Sequence, residues 1–218
     1  MTYKELKQNE EIRTYIQKAD ESLIALGFTE HSFAHVTKVS ETAAYILRTL
    51  GYSEREIELA QIAGYLHDIG NLVNRINHSL SGAVMAFRIL SGLKMPPEDI
   101  ATIVTAIGNH DEGTGEPVNA ISAALILADK TDVRRSRVRN TDLPSFDIHD
   151  RVNYSVESAE LKISEDKKEI KLSISVDTDI SPVMSYFEIF LERMLLCNKA
   201  AEALGLKFSF SMNGQQIM

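Results

Sequence analysis

The 218-residue chain has one cysteine, Cys197, so no disulfide within the chain can staple its fold. Cys197 lies among Met194, Leu195 and Leu196, an apolar setting that reads as burial rather than reactivity. No apolar run approaches the length needed to cross a bilayer, and no membrane partner is expected. The opening stretch MTYKELKQNEEIRTYIQ lacks the apolar segment of a secretion signal, which points to the cytoplasm. Excess positive charge is missing as well: 23 Lys and Arg face 31 Asp and Glu, a formal net charge of −8. An extended nucleic-acid surface needs basic residues to displace counterions from phosphates, so none is expected. A small anionic ligand needs only local positive charge, and Arg134, Arg135, Arg137 and Arg139 fall within six residues. Internal repeats and low-complexity tracts are absent. With 44% hydrophobic and 25% charged residues, the composition is that of an ordinary globular protein.

What is present is mostly helical periodicity. Residues 3–26 carry Leu6, Ile12, Tyr15, Ile16, Leu23 and Leu26 among charges and predict one helix. A second helix is expected from about Ser32 to Leu50, on Val36, Val39, Ala43 and Leu47, with Gly51 as its stop. Ser53 then caps a helix that is apolar on most sides, through Ile57, Leu59, Ala60, Ile62, Ala63 and Leu66. It ends in His67-Asp68-Ile69-Gly70. Further helices are expected over 78–90, after Pro96-Pro97, and over 118–131, with GNHDEGTGEP as a loop.

The pattern changes after Asn140. TDLPSFD reads as a linker or loop. Residues 159–164 and 170–176 alternate with period two around Glu165-Asp166-Lys167-Lys168, which predicts a hairpin. A helix over 182–204 and a strand over 206–210 follow. The expected architecture is mainly α: a helical domain over 1–140 and a small strand-strand-helix-strand appendage over 141–218. The appendage would cap a site or form an oligomer interface. Its helix carries more apolar surface than one side needs, so a homo-oligomer is one expectation.

The chemistry lies in where the polar residues fall. His67-Asp68 ends the most apolar helix, and His110 and Asp129 each continue an apolar face. His35 stands beside the apolar stripe of its own helix. Buried ionisable groups are costly unless paired or bound to metal, so several imidazoles and carboxylates converging on one interior suit a divalent cation. That donor set fits Fe, Mn, Zn, Ni or Co. The bland alternative is a set of buried polar residues that pair with one another.

His35 with Val36, Val39 and Ala43, then AGYLHDIG at 63–70, then LADKTD at 127–132, resembles the HD-domain phosphohydrolase superfamily. The resemblance covers roughly residues 30–135 and implies an HD-like helical bundle with His35, His67, Asp68 and Asp129 as metal ligands. His78, opening HSLSGAVMA, and His110, in IGNHDEG, resemble the extra ligands of members that hold two ions; there Asp68 would bridge the pair. Two departures stand out. Where many members have Lys after His-Asp-Ile-Gly this chain has Asn71, and the glycine-tyrosine-proline signature of the cyclic-dinucleotide branch is not evident.

The resemblance implies hydrolysis of a phosphate ester or anhydride of a small phosphorylated molecule, with nucleotides the default and dinucleoside tetraphosphates one subclass. Hydroxide made available on the metal would attack phosphorus, with Asp68 positioning the nucleophile. Were residues 130–139 helical, Arg134 and Arg137 would share a face, and that pair is the candidate phosphate clamp. His31 reads as a capping or surface residue, His149 as exposed, and Asp111 and Glu112 as a solvated loop. Two rivals remain: a di-iron oxygenase of the same superfamily, and a non-catalytic nucleotide-binding regulatory module that keeps the metal.

Overall fold

The computed structural model describes residues 1–142 and 145–218. Leu143 and Pro144, within the expected TDLPSFD linker, lie outside the described residues. Seven helices come first. They are α1 (Tyr3–Gln8), α2 (Glu10–Ala25), α3 (Phe33–Leu50), α4 (Glu54–Leu66), α5 (His78–Gly92), α6 (Pro97–Gly108) and α7 (Ala120–Lys130). After them come α8 (Ile148–Ser155), β1 (Val156–Ile163), β2 (Glu169–Val176), α9 (Val183–Ala203), β3 (Lys207–Met212) and β4 (Gln215–Gln216).

Local chemistry sets most boundaries. Ser32 caps α3, and Gly51 ends it in the left-handed region at φ 88°. Ser53 and Glu56 form a reciprocal capping box at the start of α4. The single helix expected over 3–26 is broken. Asn9 adopts an extended backbone, and its side chain accepts from Ile12 N at 3.0 Å, so α2 begins afresh there. The helix expected over 118–131 runs from Ala120 to Lys130, and the helical continuation over 130–139 on which the Arg134–Arg137 pairing depended is absent. Thr131 Oγ donates back to the Leu127 carbonyl at 2.6 Å, and the chain leaves the helix toward a short 3-10 turn, Arg135–Arg137. The Arg134 and Arg137 pair therefore shares no helical face.

α4 packs against α3, α6 and α7, and its residues Ile57, Leu59, Ala60, Ile62, Ala63, Gly64, Tyr65 and Leu66 are buried. The expected hairpin is present, with β1 antiparallel to β2. β3 then pairs parallel with β2, which requires a crossover connection, and α9 supplies it. α9 packs on α7 as well as on β3, and Tyr186 stacks on Phe210 with ring centroids 5.6 Å apart. Met184, Leu191 and Leu195 of α9 stay at least half exposed. Cys197 is buried on the same helix, and that burial pushes its thiol pKa up to about 12. No helix among the described residues is long and apolar enough to cross a membrane.

Candidate metal centre

Five segments deliver polar side chains to one interior point. His35 lies in the first turn of α3, and His67 and Asp68 follow the last turn of α4. His78 opens α5, His110 lies just past α6, and Asp129 is the last residue but one of α7. None of these six is more than 9% exposed.

Each imidazole is anchored through its Nδ1. His35 Nδ1 meets Asp132 Oδ2 at 2.8 Å, and His67 Nδ1 meets the Gly64 carbonyl at 2.8 Å. His78 Nδ1 meets the Arg75 carbonyl at 3.1 Å, and His110 Nδ1 meets the Ile107 carbonyl at 2.6 Å. All four partners only accept, so each Nδ1 carries hydrogen and donates, which turns Nε2 inward. Those Nε2 atoms converge: His35 and His67 lie 3.3 Å apart, and His78 and His110 3.2 Å apart. Lone pairs facing each other at such distances need a proton or a cation between them.

Asp68 lies between the two pairs. Its Oδ2 is 3.5 Å from His35 Nε2 and 3.3 Å from His67 Nε2, while its Oδ1 is 3.5 Å from His78 Nε2. Oδ2 is buried and has no hydrogen-bond partner among the described residues. Asp129 Oδ1 reaches His35 Nε2 at 3.3 Å and His67 Nε2 at 3.6 Å. Two triads, His35-His67-Asp129 and His67-Asp68-His110, each place one ligand atom per residue within 4.8 Å of the others. An unpartnered buried carboxylate oxygen among inward lone pairs fits a divalent ion.

The electrostatics agree with that fit. Burial alone would hold the His67 imidazole neutral, but Asp68 and Asp129 beside it push its pKa up to about 10. Burial opposes ionisation of Asp129, yet Lys130 and the two imidazoles hold its carboxyl well below the usual range. His110 is held neutral by burial and then by Lys130, and His78 is lowered chiefly by burial. Metal entry must therefore displace a proton from His67 but none from His78 or His110. The apparent affinity for Mn²⁺ is expected to rise about tenfold per pH unit, up to the His67 pKa of about 10. Chelator competition across a pH series measures it, and a flat profile would count against the displaced proton.

The HD domain family matches residues 32–136, the segment that carries all six side chains. Residues 32–136 are an HD domain. HD domains form a superfamily of metal-dependent hydrolases. The chain is 28% identical over 203 residues to the uncharacterized protein MJ1020 of Methanocaldococcus jannaschii, covering 82% of this chain and 77% of that one. It is 29% identical over 134 residues to the uncharacterized protein YpgQ of Bacillus subtilis, covering 59% of this chain and 62% of that one. A predicted HD superfamily hydrolase from an uncultured Thermotogales bacterium matches with a TM-score of 0.47 at 23% identity, over 62% of this chain and 75% of that chain.

The surroundings of the HD-domain centre hold residues whose roles the sequence did not reveal. Asn71, at the position where Lys is common, donates from Nδ2 to Asp68 Oδ1 at 2.9 Å. The cation there is Arg75, with Nη1 3.3 Å from Asn71 Oδ1 and 3.9 Å from Asp68 Oδ1. Lys130 is buried beside Asp129 at 2.8 Å and Glu112 at 3.1 Å. The expected solvated loop thus holds, in Glu112, the counter-ion of a buried ammonium. His31 is half-buried with its ring centroid 5.5 Å from that of His35, rather than a simple surface or capping residue. Of the arginine run, Arg134 is bound to Glu30 at 2.9 Å and Asp132 at 3.0 Å. Arg137 is buried, and it lines a cavity of about 330 Å³ together with His31, Arg75 and Arg193. Arg134 is not among the residues lining that cavity.

Asp132 orients His35 from outside the centre. Burial opposes its ionisation, but the His35 hydrogen bond and Arg137 hold its carboxyl below the usual range. Asp132→Asn is expected to weaken metal binding about 10–100-fold, the usual cost of losing an outer partner of a ligating histidine. Competition with a chromogenic chelator reads the loss, and unchanged affinity would remove Asp132 from the account.

Proposed function

We propose that the chain is a metal-dependent phosphohydrolase acting on a phosphate ester or anhydride of a small phosphorylated molecule, with nucleotides the favoured class. The observation that carries it is the convergence of four inward Nε2 atoms on Asp68, whose buried Oδ2 is unpartnered. His35, His67, Asp68 and Asp129 would hold one divalent transition ion, and Asp68, His78 and His110 a second. The chemistry such ions supply when bound is polarisation of a phosphoryl oxygen and acidification of water.

The chain's own residues would do the rest. Asp68, reaching toward both histidine pairs, would fix the spacing of the site, and Asn71 would hold Asp68 in place through its amide. Arg75 stands where negative charge would build up on a phosphoryl oxygen, beside Asp68 and His78. Arg137 would bind phosphate from the cavity side, with its Nε and Nη1 already bonded to the Glu30 and Asp132 carbonyls. Burial of all six candidate ligands favours a centre in which electrostatic contacts are weakly screened.

The deciding experiment is aerobic assay of Mn²⁺- and Fe²⁺-supplemented protein with bis(p-nitrophenyl) phosphate and a nucleotide panel, with O₂ followed in parallel. Release of p-nitrophenol or phosphate without O₂ uptake is the expected result. O₂ consumption without hydrolysis would transfer the chain to the oxygenase reading, and tight nucleotide binding without turnover to the regulatory one.

A further inference from the structure

We infer that the cavity beside the centre is a binding site for a phosphate monoester with a compact body, no larger than a nucleoside, and that α8 and α9, outside the HD domain, complete it. This rests on the hydrolase reading for its catalytic meaning, but the binding site stands on its own geometry. Three guanidinium groups and two imidazoles share the cavity wall: Arg75, Arg137 and Arg193, with His31 and His149. Each arginine is pinned on one side. Arg75 Nη1 lies against Asn71, Arg137 donates to the Glu30 and Asp132 carbonyls, and Arg193 Nε pairs with Glu112 at 2.5 Å. A guanidinium has five N–H donors, so each keeps donors to spare in a nearly fixed position. Phe190 backs Arg193, with the guanidinium carbon 4.6 Å from the ring centroid.

Three partly committed forks suit a monoester better than a diester. A monoester dianion offers three terminal oxygens and two charges; a diester offers two oxygens and one charge. The orientation follows from the neighbours. Arg75 Nη1 is 3.5 Å from His78 Nε2 and His31 stacks edge-on to His35, so the phosphate would lie at that end. α8 presents Asp150 and Asn153 to the same cavity, and Phe28, with the Arg75 guanidinium carbon 5.7 Å from its ring centroid, is an apolar wall beside Arg75. A carboxylate there accepts from hydroxyl or amino groups, so the organic body carries such donors. At about 330 Å³ the cavity is at the small end for ligand sites, a size that suits a mononucleotide better than a dinucleoside polyphosphate.

The test is titration calorimetry on the full chain with inorganic phosphate, ribose 5-phosphate, AMP and diadenosine tetraphosphate, on wild type, Arg193→Gln and Asp150→Asn. Wild type is expected to bind phosphate, and to bind ribose 5-phosphate or AMP more tightly, with diadenosine tetraphosphate weaker than AMP. Arg193→Gln is expected to raise the Kd of every phosphate ligand about tenfold or more. Asp150→Asn, on a half-buried side chain whose change is compatible with folding, is expected to weaken the preferred monoester but not inorganic phosphate. Arg193→Lys, which keeps the charge against Glu112, guards against a misfolded glutamine variant and should recover part of the affinity. Equal binding of the dinucleotide, unchanged Kd in Arg193→Gln, or no binding of any monoester would overturn the site. Turnover of p-nitrophenyl phosphate is followed in parallel. Turnover with the wrong binding pattern defeats this site alone, and the right binding pattern without turnover defeats the hydrolase reading alone.

Discussion

Asp68→Ala is expected to abolish phosphoester hydrolysis, by on the order of a thousandfold or more, and to lower bound metal in the same preparation. Asp68 is the one side chain whose two oxygens address both histidine pairs, Oδ2 toward His35 and His67 and Oδ1 toward His78. Loss of an outer partner of a metal ligand typically costs about 10–100-fold, and loss of a shared ligand removes more. Removing the carboxylate also takes away a counter-charge of His67, so its pKa should fall from about 10 and the metal-free protein should lose a buried ion pair. Steady-state assay with parallel elemental analysis reads both effects. A variant that retained activity and metal would show that Asp68 is only a buried structural acid.

Gly70→Ala is expected to be the most damaging glycine-to-alanine change among the described residues. A Cβ at Gly70 would overlap the His78 carbonyl oxygen and lie 2.5 Å from Gly82 N. Those neighbours are backbone of α5, so relief requires α5 to move off the turn that carries His67 and Asp68. Overpacking of this kind costs about 3 kcal/mol, at the upper end for a single site. For a chain of this size that lowers Tm by roughly 6–12 °C. It should also weaken metal binding, because His78 rides on the displaced helix. Gly92→Ala is the control: it lies at the end of α5, and a Cβ there meets nothing within 4 Å. Thermal melts of the two variants decide the matter, and a Gly70→Ala protein melting like wild type would mean that α5 does not need that contact.

The close approach of Gly70 and Gly82 explains why the motif residues were legible before the fold was. Helix–turn contact at backbone distance demands glycine on both sides, and Ile-Gly after His67-Asp68 and Gly-Ala after His78 record that demand in the chain. Five of the six candidate ligands were visible for a related reason. His67, Asp68, His110 and Asp129 each continue or end an apolar helical stripe and His35 stands beside one, whereas His78 was visible only through the resemblance of HSLSGAVMA to the family. Helix and strand identities followed from periodicity wherever an element had a buried face, as in α3, α4 and the β1–β2 hairpin. α8 was missed because its eight residues are mostly polar and bury only Val152, Asn153 and Ser155. The break at Asn9 was missed because the apolar spacing continues through it, while the side-chain cap that makes it is a local hydrogen bond.

The cations around the centre were harder to see because pairing is a property of space rather than of spacing. Arg193 meets Glu112 across 81 positions of chain, and Glu112 in turn meets Lys130. One signal was present: Lys130 closes a helix whose ten preceding residues are all apolar, small or acidic, which is unusual for a lysine free in solvent. The arginine run misled for the opposite reason. Its regular spacing suggested a helical face, while Asp132 and Glu30 draw Arg134 and Arg137 into separate roles.

The most direct test of the metal centre is elemental analysis of the purified protein after Mn²⁺ or Fe²⁺ supplementation, alongside the His78→Ala/His110→Ala double variant. The account predicts about two ions per chain in the wild type and about one in the double variant. No bound metal in either protein would contradict it, and would leave the convergent histidines and carboxylates as a buried polar network sharing a proton.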